Sequence, residues 1–296
     1  AILHRLVGSE MCIRDRYRSG EIRKHEKTRP DKEDDRTRHL LATASHAEPV
    51  FLCFRDAPNE GITIHSMMEA DLQSSPLFDF VTPDGVQHTG WSVSDPAKYV
   101  SAFSQLDRLY IADGHHRSAG AERAATASKK ADANGSDDKQ YGRFLAVVFP
   151  HDQLRILPYN RVVADLNGLT AEKFLSKLRA LGSLEQAQAG TPEKPGQVFV
   201  FVAGEWWLLT FPESSIDRNH PIASLDVALL QDRVLAPLLG IGDPRTDSRI
   251  AFIGGVRGCE ELERRAGDQG VAFSMHATSA DELLAVADAD EIMPPK

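Results

Sequence analysis

Residues 107–117 read DRLYIADGHHR, an apolar run that stops at Asp113-Gly114 and gives way to SAGAERAATASKKA, an alanine-rich stretch of strong helix propensity. No other part of the chain constrains the fold so tightly. A buried strand must end, turn through a glycine and open a helix within a few residues. Such a junction aims free main-chain N–H groups and the positive end of a helix dipole at one place, which suits an anion. Arg117 can hold a phosphate or carboxylate through two parallel hydrogen bonds. His115 and His116 supply donors near neutral pH, and Asp113 can fix a histidine tautomer or hold magnesium beside a phosphate. The competing reading is a plain helix cap whose histidines only close the strand end. Adjacent histidines point different ways, so at most one of the two is expected to act.

A second concentration of chemistry is HEKTRPDKEDDR, residues 25–36, which follows the short strand-like EIRK. Glu26 can serve as a general base against a substrate hydroxyl if its surroundings tune it. Thr28 and Arg29 lie just beyond it. Lys32, Arg36 and Arg38 can neutralise transferring phosphates, and Asp34 and Asp35 can bind magnesium. The same residues also suit a solvated helix face with weak i,i+4 pairs. Pro30 is expected to interrupt any helix here, leaving Asp31 to cap one running on through KEDDRTRHLLATASHA. A metal site of His25, Glu26, Asp113, His115 and His116 is chemically open, since zinc accepts such ligands. No HExxH-type spacing supports it, and it ranks below phosphate binding.

Composition narrows the function classes. The chain has 296 residues and a formal charge of -9, which disfavours a nucleic-acid partner. No stretch approaches the roughly 18 apolar residues of a membrane span. Cys12, Cys53 and Cys259 form no CxxC pair, which excludes a disulfide framework and fits a cytoplasmic protein. Cys53, in an apolar run, is expected to be inert packing. The opening AILHRLVGSEMCIRDR has neither helical nor strand period, and RLVGSEMCIRDR resembles translated sequencing-adapter read-through. Residues 1–16 are therefore set aside as a non-native arm. The abrupt start and the closing EIMPPK suggest truncation at both ends.

The remaining chain is expected to comprise a motif-bearing, anion-binding region, 17–150, and a C-terminal α+β region, 151–296. PVFLCF (49–54), FLAVVF (144–149) and LRILPYNRVV (154–163) read as strands. Residues 60–72 read as helix or loop, Pro83-Asp84-Gly85 as a hairpin turn, and residues 132–140 as a polar loop. Further on, helices are expected over 170–181, 225–239 and 258–266. A last helix is capped by Ser279, a hairpin turns at Ala203-Gly204-Glu205 with one of Trp206 and Trp207 in the core, and strands cover 249–253 and 271–275. The glycine turn at 254–258 lacks a complete phosphate-loop pattern and reads as close packing.

At HEKTRPDKEDDRTRH and IADGHHRSAGA the chain resembles the bacterial and archaeal family catalogued as domain of unknown function 1015. The resemblance continues through YGRFLAVVFPHDQLRILPYNRVV, LDVALLQDRVLAPLLGI and SADELLAVADADEIMPPK, and so covers nearly everything from Tyr17 onward. The chain departs from it at FSMHAT (273–278), where the family usually has prolines, and lacks the family's N-terminal portion and a short C-terminal tail. The DGHHR turn is similar to the phosphate-gripping turn of the ParB/sulfiredoxin-like superfamily, some members of which phosphorylate free L-serine.

The resemblance implies an α+β fold with a mixed-sheet ParB/sulfiredoxin-like core. It also implies a phosphotransferase for a small hydroxylated metabolite such as serine, with ATP or ADP and magnesium as cofactors. Glu26, His115 and His116 are the expected catalytic groups. Gly114, Arg117, Thr28, Arg29, Lys32 and Arg36 are expected to bind the anion, with Asp113 and Asp35 on magnesium. A phosphatase for a small phosphoester, and a non-catalytic nucleotide- or DNA-responsive regulator, are the alternatives. The expected partner is a small anionic metabolite or nucleotide.

Overall fold

The computed structural model describes residues 2–4, 13–56, 63–132 and 140–294. Cys12 and most of the polar loop expected at 132–140 fall outside them. The chain divides into two compact units, residues 1–154 and 155–296. Both are α+β, and among the described residues no helix is long and apolar enough to cross a membrane.

The first unit contains β1 (Ile2–His4), α1 (Ile13–Ser19), β2 (Ile22–Arg23), α2 (Pro30–Thr43), β3 (Val50–Phe54) and α3 (Ile64–Asp71). It continues with β4 (Phe78–Val81), β5 (Gln87–Gly90), α4 (Pro96–Ser104), β6 (Leu109–Asp113), α5 (His115–Ala131) and β7 (Ala146–Pro150). Its sheet runs β1-β7-β3-β6-β2 and is mixed. β2 is parallel to β6 and β3 to β7, whereas β3–β6 and β1–β7 are antiparallel. Residues 2–4 thus pair at the sheet edge, although the sequence sets them aside. β4 and β5 form a separate hairpin around Pro83-Asp84-Gly85, with Gly85 at φ 83°. Ile22, Leu52, Phe54, Leu109, Ile111 and Val148 are buried in one cluster with Ile64 of α3 and Tyr99 and Phe103 of α4. Burying each such side chain contributes about 1.5–3 kcal/mol.

Pro30 does not interrupt a helix; it starts one. It occupies the first turn of α2, where a missing N–H loses no hydrogen bond and the fixed φ suits the helix. The N-cap is therefore Arg29, without a side-chain cap, and Asp31 falls in the first turn, where a carboxylate complements the dipole. α2 lies against α5, in which Ala119, Gly120, Ala121, Ala124 and Ala125 are all buried. A Cβ on Gly120 would come 2.9 Å from the Cβ of Arg36 and 3.3 Å from the N of Thr37. The bare glycine is what lets the helices approach this closely.

The second unit comprises β8 (Tyr159–Val163), α6 (Ala171–Arg179), β9 (Ser183–Ala187), β10 (Gln197–Val202), β11 (Glu205–Thr210) and α7 (Asp226–Leu230). α8 (Ala236–Leu239), β12 (Ile250–Gly254), α9 (Gly258–Ala266), β13 (Val271–Met275) and α10 (Ala280–Asp288) follow. The sheet order is β12-β8-β13-β10-β11-β9, antiparallel throughout. Both faces are covered. Val163, Val200, Leu209 and Phe273 share one core with Leu230 and Leu235, while Val162, Phe201, Trp206 and Ala272 share another with Leu262 of α9. Trp207 packs against the first of these cores, so neither tryptophan is left in solvent.

Three sequence expectations are corrected here. The strand over 154–163 is confined to β8, because Pro158 has no N–H for a ladder. The helix over 225–239 is interrupted by a π-helical turn, Gln231–Leu235, between α7 and α8. Pro237 has no N–H to offer the carbonyl four residues earlier, which favours the wider turn. β9, an edge strand, was not anticipated. Ser279 does cap α10, in a reciprocal capping box with Glu282. Gly255 serves close packing, since a Cβ there would lie 2.5 Å from Cγ of Pro158.

Candidate functional site

β2 and β6 run parallel and side by side, so the segments leaving their C-terminal ends emerge together. From β6 the chain turns through Gly114 at φ 93° and enters α5 at His115. Only glycine adopts that φ without strain, and its side chain would in any case meet Arg117 Nε at 2.8 Å. From β2 the chain passes through Lys24 to His25 and Glu26. Carboxyl ends of parallel strands facing a helix N-terminus are where open α/β sheets commonly hold anionic ligands.

His25 and His115 are both buried, their rings edge to face with centroids 4.4 Å apart. The His25 main-chain N–H donates to Nε2 of His115 at 3.5 Å. That contact assigns the ring proton of neutral His115 to Nδ1, which faces the Glu26 carboxylate at 3.9 Å. The Glu26 side chain is 42% exposed, and therefore reachable by a substrate, whereas that of His115 is 4% exposed. The gap lies just beyond hydrogen-bond distance.

His116 faces elsewhere. Its Nε2 accepts from the main-chain N–H of Arg29 at 3.1 Å, tying the start of α5 to the N-cap of α2. The Arg29 guanidinium bonds Asp31 at 2.9 and 3.1 Å in solvent. Thr28 donates its hydroxyl to Glu33, and Glu33 and Asp34 both bind Arg123 of α5. Lys32 is exposed in the first turn of α2.

Arg117 donates to the carbonyl of Pro49 and, at 2.6 Å, to Asp113; Glu48 lies 3.8 Å away. An incoming anion must share or displace Asp113, whose side chain is 71% exposed and so readily exchanged. Beside it, Arg36, His39, His46, Glu48 and Arg117 line a cavity of about 100 Å³. Burial pulls His46 below the ordinary histidine range, partly opposed by its hydrogen bond to the main chain of Arg143. The sequence reading placed Arg36 and Arg117 in an anion site but missed His39 and His46. They follow the charged run with no motif to mark them, and only the docking of α2 beside α5 brings them to Arg117.

Among the described residues, one group has donor atoms close enough to hold a metal ion: His25, Glu26 and His115, all within 4.8 Å of one another. Two imidazoles and one carboxylate suit zinc or a similar nitrogen-accepting ion better than magnesium, which prefers oxygen. Asp113 is held by Arg117, and Asp35 lies 3.7 Å from Arg38 on the exposed face of α2. Neither carboxylate belongs to the group of His25, Glu26 and His115. Cys53 is buried and its thiol is pushed up to about 12, which makes it inert packing.

The family described as "Protein of unknown function (DUF1015)" matches residues 9–228. No curated protein matches the chain. Among solved structures, the chain is similar to SbnI with C-terminal truncation from Staphylococcus aureus, at 13% identity and a TM-score of 0.42 over 92% of this chain and 75% of that one. A conserved hypothetical protein from Pyrococcus furiosus matches at 12% identity and a TM-score of 0.37, covering 93% and 84% of the two chains. A free serine kinase in complex with AMP matches at 13% identity and a TM-score of 0.38, covering 93% and 81%. Likenesses of this size bear on neither the activity nor the ligands of the present chain.

Proposed function

The chain belongs to the DUF1015 family, and from that premise we propose that it is a phosphotransferase, moving a phosphoryl group from a nucleotide to the hydroxyl of a small metabolite, serine being the first candidate. The observation that carries this reading is the 3.9 Å approach of Glu26 to His115 at the opening of α5. It puts a solvent-reachable carboxylate beside a helix N-terminus, so a base and an anion cradle share one place. The guanidinium groups of Arg36 and Arg117 on the wall of the cavity provide for negative charge on the donor.

In the reaction the substrate hydroxyl oxygen forms a bond to the terminal phosphorus of ATP or ADP. The bridging P–O bond breaks, its electrons leaving with the shortened nucleotide, and the hydroxyl proton passes to Glu26. His115, with its proton on Nδ1, orients that carboxylate. Positioning and charge neutralisation do most of the work in such transfers.

The full chain incubated with L-serine and either ATP or ADP should form phosphoserine in step with nucleotide consumption. Release of phosphate from phosphoserine without any nucleotide would assign a phosphatase instead, with water as nucleophile. Neither turnover nor nucleotide binding would remove the enzyme reading. The donor set of His25, Glu26 and His115 favours a second reading, in which the trio holds a metal and Glu26 is a ligand rather than a base. Stoichiometric zinc binding that is lost in Glu26→Gln and His115→Ala alike would establish it.

A further inference from the structure

Glu26 sits in a short loop, residues 25–29, between β2 and α2. Its side chain is 42% exposed, so the aim of its carboxylate depends on how firmly the loop backbone is held. Three of the five loop residues are fastened to α5. The His25 N–H donates to Nε2 of His115 at 3.5 Å, and the Arg29 N–H donates to Nε2 of His116 at 3.1 Å. Between them, the Thr28 hydroxyl donates to Oε1 of Glu33, while Oε2 of the same carboxylate accepts from Arg123 Nη1 at 3.2 Å. Each Glu33 oxygen has its own partner, and the carboxylate bridges the loop to α5. Nη2 of Arg123 donates to Asp34 at 2.5 Å, which keeps the guanidinium turned toward α2.

The anchors share one helix for a geometric reason. His116, Gly120 and Arg123 are spaced at i, i+4 and i+7, which puts them on one face of α5. All three meet α2 or its cap: His116 at Arg29, Gly120 at Arg36, and Arg123 at Glu33 and Asp34. The missing side chain of Gly120 brings the helices together, and the longer side chains on either side of it reach across. His115 lies one residue off this row and faces the Glu26 carboxylate instead. Neither His116 nor Arg123 lines the cavity beside Arg117.

We propose that His116 and Arg123 are positioning residues for Glu26, holding loop 25–29 against α5 so that the carboxylate is aimed at the substrate hydroxyl. This role rests on the phosphotransfer reading, in which Glu26 is the base. A displacement of about 1 Å can cost up to about 100-fold in rate, even when the altered residue is remote from the reacting atoms. The full chain and the variants His116→Ala, His116→Gln and Arg123→Met test it by two measurements. In His116→Gln the amide oxygen stands where Nε2 was and can still accept from the Arg29 N–H. In phosphoserine formation, His116→Ala and Arg123→Met should lose about tenfold in kcat, with KM for serine and nucleotide changed less than about threefold. His116→Gln should recover most of the rate, a rescue that a general stability defect would not show. Amide hydrogen exchange should quicken at residues 25–29 in the two impaired variants and return toward that of the unsubstituted chain in His116→Gln. Should Arg123→Met fail to fold, the two His116 variants carry the test. Unchanged exchange at residues 25–29, an unchanged kcat, or a KM that rises as kcat falls would overturn the proposal. If the unsubstituted chain makes no phosphoserine, the phosphotransfer reading falls, and exchange alone decides whether these residues hold the loop.

Discussion

The carboxylate of Glu26 lies 3.9 Å from Nδ1 of His115, although the segments that carry them are far apart in the chain. The parallel pairing of β2 with β6 creates this proximity, since Ile22 is in register with Leu109 and both strands end beside the same turn. The buried His25 ring, edge-on to His115, limits how the latter can rotate. In the proposed reaction His115 is therefore the orienting group, and Glu26, 42% exposed, the group that meets the substrate.

Replacing the carboxylate isolates its role. Glu26→Gln keeps the size and the contact with His115 but removes the capacity to accept a proton. Turnover is expected to fall roughly 100-fold or more, with nucleotide affinity unchanged within about twofold. Product formation and calorimetric affinity, measured on one preparation, check both halves. A parallel loss of affinity would make Glu26 a ligand contact or a metal ligand rather than a base.

Asp113 separates two uses of Arg117. As placed, Asp113 occupies the guanidinium that an anion needs. Asp113→Ala should therefore tighten nucleotide binding by a few-fold, whereas a magnesium-binding Asp113 would weaken it. Arg117→Ala should weaken binding at least about tenfold. It should also lower the melting temperature, because the Pro49 carbonyl loses its donor. Titration of both variants with and without magnesium gives the sign.

Legibility in the sequence followed the range of the interactions. The junction of β6 with α5, the two hairpin turns and the Ser279 cap are local, and turn and cap chemistry alone reveal them. Pro30 misleads, because the residue that breaks a helix interior also starts a helix well. The exposed edge strand β9 alternates too weakly to be read. What placed His25 beside His115, 90 residues away, is strand order, a property of the whole sheet. Likewise His116 resembles His115 in sequence, yet its ring is taken up by the Arg29 N–H. A residue list can name such candidates, but only the sheet sorts those that face the site from those that tie helices together.

Asp226 should make stability depend on pH in an unusual direction. Its Oδ1 accepts from the Gly196 N–H at 2.7 Å, its Oδ2 is buried without a hydrogen-bond partner, and burial pushes the carboxyl up to about 6. Between pH of about 4 and 6 the folded chain therefore holds a proton that the unfolded chain has released. Stability should fall as pH rises through that window, by up to about 3 kcal/mol, and stay lower above it. Asp226→Asn keeps the acceptor for Gly196 and removes the titration. It should be the more stable protein at pH 7 and lose that advantage near pH 4. Urea unfolding across pH, followed by tryptophan fluorescence to which Trp206 and Trp207 of the same unit contribute, measures this. Equal pH slopes for the two proteins would locate the titrating group elsewhere.

Gly120 couples helix packing to the anion cavity. Its missing side chain lets α2 approach α5 until a Cβ would meet Arg36 Cβ at 2.9 Å. Alanine would gain about 1 kcal/mol of helix propensity, but the atom it strikes is fixed to the α2 backbone, so the helix itself must move. Overpacking of this kind costs about 1–3 kcal/mol, and the balance is a net loss. Valine adds two methyl groups and poorer propensity, so the order of stability should be glycine, alanine, valine. Arg36, His39 and the Arg29 N–H held by His116 all ride on α2 or its cap, so the same displacement should weaken nucleotide binding in that order. Melting temperature and calorimetric affinity of Gly120→Ala and Gly120→Val test the coupling. Loss of stability with unchanged affinity would show that the α2 side of the cavity does not hold the ligand.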